Sequence, residues 1–228
     1  MAEGIIVGSD QSQEWLLPWW WENYQRHNRH PVAFFDFGLS EAGKRWCRER
    51  GQWIKLAPLF VKERDEVAPS LAHEWESRYG DQFWNSREAW FKKPHACLCS
   101  PFENTVWLDL DCEVLGPLDP LFQACDHPSG IALARDQTLP TYNSGVIAFR
   151  SQNAIIGEWA RQSLEQNGVF RGDQDLLSHI VAGKAIGQLL PIYNWNVGYG
   201  LNPEAVICHW LGERAKTALR NQLILNDL

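Results

Sequence analysis

Two aspartates one residue apart close an apolar run, Val106-Trp107-Leu108-Asp109-Leu110-Asp111. In a strand, residues i and i+2 share a face, so Asp109 and Asp111 are expected to project together while Leu108 and Leu110 pack behind them. Two close carboxylates repel unless a cation or a donor lies between them. Oxygen ligands at the end of a buried strand suit Mg²⁺ or Mn²⁺, with a substrate phosphate completing the shell. His209 ends the last apolar run, where a neutral imidazole can join two carboxylates as a ligand. Such a cation, with one or two lysines, compensates the charge that develops on a departing diphosphate. Each residue also has a plainer use. An Asp-x-Asp pair suits a solvated turn or a helix cap, and a histidine at the end of an apolar run is often a satisfied structural residue. Gly172-Asp173-Gln174-Asp175 reads equally as an ordinary helix start. If Gln174 serves chemistry, its carboxamide is a poor nucleophile and would orient a substrate instead of forming a covalent adduct.

The elements that must position these residues alternate short apolar runs with longer amphipathic stretches, the pattern of an α/β domain. Residues 4–7 read as a first strand closed by Gly8-Ser9-Asp10, and 14–28 as a helix with Trp15, Leu16, Trp19 and Trp20 on its apolar face. Residues 32–35 read as a second strand ending at Asp36, and a helix opens at Ser40 and runs to about 50. Positions 55–100 read as mainly helical. The best stretch is 86–98, entered at an N-cap on Ser86 and disturbed by Pro94. Strand signals follow at 105–110, 131–134, 146–149, 187–190 and 205–208, with helical patterns at 152–166 and 173–181. No repeat, low-complexity tract or linker divides the 228 residues, so the chain reads as one domain.

The composition is that of a globular protein, with 45% hydrophobic and 21% charged residues. A net charge of −7 argues against nucleic acid or an anionic membrane as the main partner. No apolar run approaches the roughly 18–20 residues of a membrane span, and the acidic start is unlike a signal peptide. Three basic residues in 213–228, Arg214, Lys216 and Arg220, leave room only for a weak peripheral membrane contact. The six cysteines lack a CxxC pair and zinc-finger spacing, so they read as reduced, mostly buried thiols of a cytoplasmic protein. The 13 tryptophans read mostly as core. Trp19-Trp20-Trp21 cannot all face inward on one helix, and Trp195 is the best candidate for stacking on a sugar face.

The segment 105–122, TVWLDLDCEVLGPLDPLF, resembles the DxD block of the retaining glycosyltransferases of family 8. The resemblance implies a GT-A fold: a single Rossmann-like α/β domain with a mixed, mostly parallel central sheet flanked by helices. It also implies a nucleotide-sugar donor and Mn²⁺ (or Mg²⁺) on the donor diphosphate, held by Asp109 and Asp111, with Asp109 also near the ribose. Tyr142-Asn143-Ser144-Gly145-Val146 resembles the family's N-[ST/A]-G block, which implies Asn143 and Ser144 near the donor sugar. Gly172-Asp173-Gln174-Asp175-Leu176-Leu177 resembles its D-Q block. That block implies Asp173 and Asp175 on sugar hydroxyls and Gln174 near the anomeric carbon, opposite the leaving group. His209-Trp210-Leu211-Gly212 resembles the HxxG block, implying His209 as third metal ligand and Gly212 near the donor. Lys93 stands sixteen residues before Asp109, the spacing of a family lysine that contacts the donor, and Gly8, Ser9 and Asp10 fall where the nucleotide loop would lie. The family's last lysine sits six residues after the histidine and is followed by Pro-Trp. Here position 215 is Ala, Lys216 comes one later and no Pro-Trp follows.

The resulting expectation is a metal-dependent retaining hexosyltransferase. Residues 1–104 would form a nucleotide-binding half with a helical insertion at about 55–100, and 105–228 the metal, donor-sugar and acceptor half. The donor would be UDP-glucose or UDP-galactose and the acceptor a glycan, lipid or protein. A nucleotide-sugar-binding module or a nucleotide-sugar hydrolase is the alternative. A nucleotidyltransferase would want a Gly-rich basic loop after the first strand, and Gly8-Ser9-Asp10-Gln11 has one glycine and no base.

Overall fold

The computed structural model describes residues 2–137 and 141–226. In chain order the elements are β1 (Glu3–Asp10), α1 (Leu16–His27), β2 (Val32–Gly38), α2 (Glu41–Arg48), β3 (Gln52–Lys55), α3 (Pro69–Tyr79) and α4 (Arg87–Leu98). Then follow β4 (Asn104–Leu108), β5 (Cys112–Val114), α5 (Asp119–Ala124), β6 (Ile131–Arg135), β7 (Tyr142–Arg150), α6 (Ala154–Glu165) and α7 (Asp173–Val181). The chain closes with β8 (Gly187–Leu189), β9 (Trp195–Asn196), β10 (Ile207–His209) and α8 (Glu213–Asn226).

Seven strands form one sheet in the order β3-β2-β1-β4-β7-β6-β8, and β5-β10-β9 form a small second sheet. Within the large sheet only β7 runs antiparallel to its neighbours β4 and β6. The sheet is therefore mixed and mostly parallel, with helices on both faces, as expected. Period-2 alternation sorts its side chains. Ile5, Val7, Phe34, Val106 and Leu108 face α1, where Leu16, Leu17 and Trp20 complete one core. Ile6, Phe35, Trp107, Ile147 and Phe149 face the other way, onto Phe91 of α4, Trp159 of α6 and Leu177 of α7. The insertion carries its own small core of Val67, Ala72, Trp75 and Phe83.

Several expectations need correction. β4 stops at Leu108, so the two aspartates lie beyond it in a turn closed by a bond from the Cys112 N–H to the Asp109 carbonyl (3.0 Å). Strand alternation is thus not what brings them together. The Ser86 side chain caps nothing, because a 3-10 stretch (Asp81–Ser86) runs directly into α4. α4 continues through Pro94, whose cost of about 3 kcal/mol is set against burial of the apolar Phe91, Ala96 and Cys97 on either side. Helix α6 starts at Ala154 because Gln152 is left-handed (φ 58°) and the Asn153 side chain accepts from the N–H groups of Ile155 and Ile156. The last apolar strand is 207–209 and includes the histidine. The short elements β3, β5, β9 and α5 had no sequence signal. Of the three consecutive tryptophans only Trp20 is fully buried. All six cysteines are free, and Cys99, unlike the other five, is exposed. No helix among the described residues is long and apolar enough to cross a membrane.

Candidate active site

The parallel strands β1 and β4 end on the same edge of the sheet, and antiparallel β7 begins there. This is the edge where open α/β sheets take ligands. Leu108 pairs with Val146, and the Asp109 N–H donates to the Gly145 carbonyl (2.8 Å). That register sets Asp109 beside the start of β7, where Asn143 and Ser144 lie.

Lys93 joins the two halves of the site. Its Nζ lies 2.9 Å from Asp109 Oδ1 and 3.1 Å from Asp173 Oδ2, and donates to Ser144 Oγ (3.2 Å) and to the Ser144 carbonyl (3.3 Å). Burial opposes the charge on Lys93, but the two carboxylates and their hydrogen bonds outweigh it and hold the ammonium above its ordinary range. Asp173 also accepts from Ser144 Oγ (2.7 Å), and Gln174 Oε1 accepts from the Ser144 N–H (3.3 Å). Asp109 is anchored from below by the Trp107 indole N–H (2.7 Å), and Trp107 in turn stacks on Phe37 at 6.3 Å between ring centres.

His209 reaches the same spot from β10. Its Nε2 lies 3.2 Å from Asp111 Oδ1 and 4.0 Å from Asp109 Oδ2, and makes no hydrogen bond among the described residues although the ring is only 1% exposed. Nδ1 faces Asn194 Oδ1 at 2.9 Å, while the Asn194 amide donates to Asn143 Oδ1 (2.9 Å). Asn143 Oδ1 further accepts from the Gly145 N–H (2.8 Å). With the Asn194 amide committed as donor, its oxygen accepts, so the network assigns the ring proton to Nδ1. Nε2 then presents a lone pair to two carboxylates. Gly145 is required for this approach, since a Cβ there would lie 2.2 Å from the imidazole Cε1.

Lys216 on α8 completes the cluster, with Nζ 3.4 Å from Asp111 Oδ2. Burial works against ionisation of Asp111, but the Lys216 ammonium overcomes it and holds the carboxyl far below its usual range. Lys216 is likewise held up, against burial, by Asp111 first and then Glu213 and Asp109. Gly212, at the mouth of α8, has a positive φ of 86° that favours glycine, and its carbonyl accepts from the Lys216 N–H (3.1 Å). Three carboxylates, two ammoniums and a neutral imidazole leave the cluster one charge negative, and its O, O, N donor set suits a divalent cation.

The remaining residues expected at the site are more local. Gly8 makes room for the Phe37 ring, which a Cβ would meet at 2.3 Å. The Ser9 hydroxyl donates to the Asp10 carbonyl (3.0 Å), and Asp10 Oδ1 accepts from the Ser12 and Gln13 N–H groups. Asp175 is not drawn into the cluster. It pairs with Arg171 (3.2 Å), and burial raises its carboxyl pKa, against the pull of that cation. Trp195 is half-buried and donates to the Gly200 carbonyl (2.8 Å). Two neighbours were not anticipated. Asn194 adjoins Trp195 in a stretch with no local signal for its role. Cys112, paired with His209 across β5 and β10, lies within 4.8 Å of the ligand atoms of Asp111 and His209. Burial pushes its thiol well above the ordinary range, and it donates to the Gly145 carbonyl (3.7 Å).

No protein-family model and no curated protein matches the sequence. The fold does have counterparts among solved structures. It is similar to the apo form of the glycosyltransferase GlyE of Streptococcus pneumoniae TIGR4, with TM-score 0.65 and 18% identity over 93% of this chain and 55% of that one. It is similar to the galactosyltransferase LgtC in complex with donor and acceptor sugar analogs, with TM-score 0.59 and 15% identity over 92% of this chain and 87% of that one. Mouse xyloside xylosyltransferase 1 gives TM-score 0.58 and 17% identity over 91% and 97%. The chain spans about half the length of the GlyE chain. At these identities the likeness establishes the fold, that of the GT-A glycosyltransferases.

Proposed function

We propose that this chain is a cation-dependent retaining glycosyltransferase of the family it resembles. In this reading it moves a hexose, glucose or galactose, from a UDP-linked donor to a glycan, lipid or protein acceptor. The supporting observation is the buried, hydrogen-bond-free Nε2 of His209 facing Asp109 and Asp111, next to a lysine that ties Asp109 to Asp173. An unsatisfied buried nitrogen against two carboxylates is costly, and a cation relieves it. The residues therefore fit Mn²⁺ or Mg²⁺, which Asp109, Asp111 and His209 would hold and which, when bound, supplies charge compensation for a departing diphosphate.

The chain's own residues do the rest. Residues 1–104 would receive the nucleotide, with Gly8, Ser9 and Asp10 at the end of β1. Lys93 and Lys216 add positive charge on either side of Asp109 and Asp111, and Gly212 opens the N-terminus of α8 toward the diphosphate. Asp173, oriented by Lys93 and Ser144, accepts from donor-sugar hydroxyls. Asn143 acts through Asn194 on His209. In the transfer, the C1–O bond to the diphosphate breaks and a C1–O bond to the acceptor oxygen forms on the same face. The acceptor proton leaves on the released diphosphate. Gln174, aimed by the Ser144 N–H, supports the positive charge developing at C1. The six free thiols accord with a reducing, cytoplasmic compartment.

The test is thermal shift with UDP, UDP-glucose and UDP-galactose, with and without Mn²⁺, followed by a donor-hydrolysis assay. A ligand at 100 times its Kd stabilises by about 2.7 kcal/mol. No shift with any nucleotide-sugar overturns the proposal. A shift without turnover, even with candidate acceptors, supports a binding module instead.

A further inference from the structure

One face of α4 runs along the segment that leads into α7. Lys93 reaches Asp173, the Trp90 ring lies where a Cβ on Gly172 would meet it at 2.9 Å, and Arg87 takes the stretch before it. Arg87 is 1% exposed, yet among the described residues no carboxylate is a hydrogen-bond or ion-pair partner of it. Its guanidinium donates to main-chain carbonyls instead: Arg171 (3.0 Å) through Nε, Lys62 (2.6 Å) through Nη1, and Asn167 and Phe170 (3.2 Å) through Nη2. Three of these four lie between α6 and α7, in the five residues that end one position before Gly172. The rings of Trp84 (4.9 Å), Trp75 (5.3 Å) and Phe91 (5.3 Å) enclose the cation, and Trp75 and Trp84 come from the helical insertion.

A fork of five N–H donors in fixed geometry is suited to four carbonyls on diverging chains, and a lysine's single ammonium is not. The carbonyls fix the path of 167–171, that path fixes Gly172, and Gly172 fixes where α7 begins. Asp173 and Gln174 are its first two residues.

We propose that Arg87 is a positioning residue for glycosyl transfer: by clamping the carbonyls of 167–171 it sets Gln174 and Asp173 against Ser144 and Lys93. It rests on the transferase reading above and couples the insertion to the donor-sugar end of the site. A misplacement of about 1 Å at a reacting centre can cost 100-fold in rate.

The experiment compares wild type, Arg87→Lys and Gly172→Ala. Arg87→Lys keeps the charge but not the fork, and Gly172→Ala displaces the same segment from the Trp90 side. Each is measured alone and combined with Gln174→Ala, in donor hydrolysis with the nucleotide-sugar that wild type turns over. Both single variants should lose about 10- to 100-fold in kcat, and most of that loss should vanish in the Gln174→Ala background. A wild-type kcat in Arg87→Lys, or an equal loss with and without Gln174, overturns the proposal. If wild type turns over no nucleotide-sugar, the transferase reading fails by itself and hydrogen exchange decides about Arg87. Exchange at amides 176–179, the first that bond within α7, at least tenfold faster in Arg87→Lys, with β1 amides unchanged, keeps the clamp; unchanged exchange at 176–179 removes it.

Discussion

Nδ1 of His209 lies 2.9 Å from Oδ1 of Asn194, two residues brought together by the parallel pairing of β9 with β10. The bond sets the imidazole tautomer and leaves Nε2 free to ligate. Removing such a partner typically costs a metal site 10- to 100-fold in affinity. Asn194→Leu should therefore weaken Mn²⁺ binding by about that factor, measured by electron paramagnetic resonance of free Mn²⁺. An unchanged affinity would mean that His209 is not a ligand.

Asp111→Asn should abolish Mn²⁺-dependent UDP binding in calorimetry while the circular dichroism of the cation-free protein stays that of wild type. Unchanged Mn²⁺ and UDP affinities would refute the metal assignment. The same variant has a pH signature. The Lys216 ammonium overcomes burial to hold the folded-state pKa of Asp111 below its unfolded value. Its stabilisation is thus present above the unfolded value of about 3.9 and is lost as pH falls below it. Urea titrations of wild type between pH 6 and 2.5 should show an acid loss that is smaller in Asp111→Asn.

The family resemblance casts Lys93 as a donor contact, and the structure adds a buried bridge between two carboxylates. Breaking a buried ion pair on one side leaves uncompensated charge, at about 3–5 kcal/mol. Lys93→Met should lose roughly that much stability in urea as well as donor affinity. Loss of donor affinity with full stability would show that the bridge contributes nothing to the fold.

Gln174→Ala separates binding from chemistry. A carboxamide that acts on a developing oxocarbenium ion contributes more in the transition state than in the ground state, so its loss falls on kcat. Turnover should drop by about 10–1000-fold, or roughly 1.4–4 kcal/mol, with nucleotide and Mn²⁺ affinities within a few-fold. Hydrolysis at the wild-type rate would reduce Gln174 to a surface helix residue.

The cysteines give a test that needs no ligand. Burial pushes the Cys47 and Cys125 thiols up to about 12 and Cys208 to about 11, and Cys99 alone is exposed. Iodoacetamide at pH 8 should add one group to the native protein and six after denaturation, read by intact mass. The raised folded-state values stabilise the protein fully below the unfolded thiol pKa of about 8.5, and that stabilisation is lost as pH rises toward 12. Rapid native labelling of Cys47 or Cys125 would contradict the packing.

What the sequence determined by itself is local or strongly typed. Alternation in β1, β2 and β4 sorted the two cores, and Ser40 capped α2 through the Gly43 N–H as its type suggests. Residue type together with the family resemblance singled out Asp109, Asp111, His209 and Gln174, and the structure sets His209 against both aspartates and Gln174 against Ser144. Tertiary structure decided what depends on partners far along the chain. β4 ends at Leu108 because the chain turns there, the Cys112 N–H bonding back to the Asp109 carbonyl, which places the aspartate pair in a turn and not on a strand face. Asp173 and Asp175, equivalent in the sequence, part company because Asp173 faces Lys93 and Asp175 faces Arg171. The roles of Asn194 and Arg87 were invisible, since each exists only through hydrogen bonds to segments 15 and 25 or more residues away. Periodicity and capping act within a few residues and can be read along a chain. A hydrogen bond across it is decided only when packing has fixed both ends.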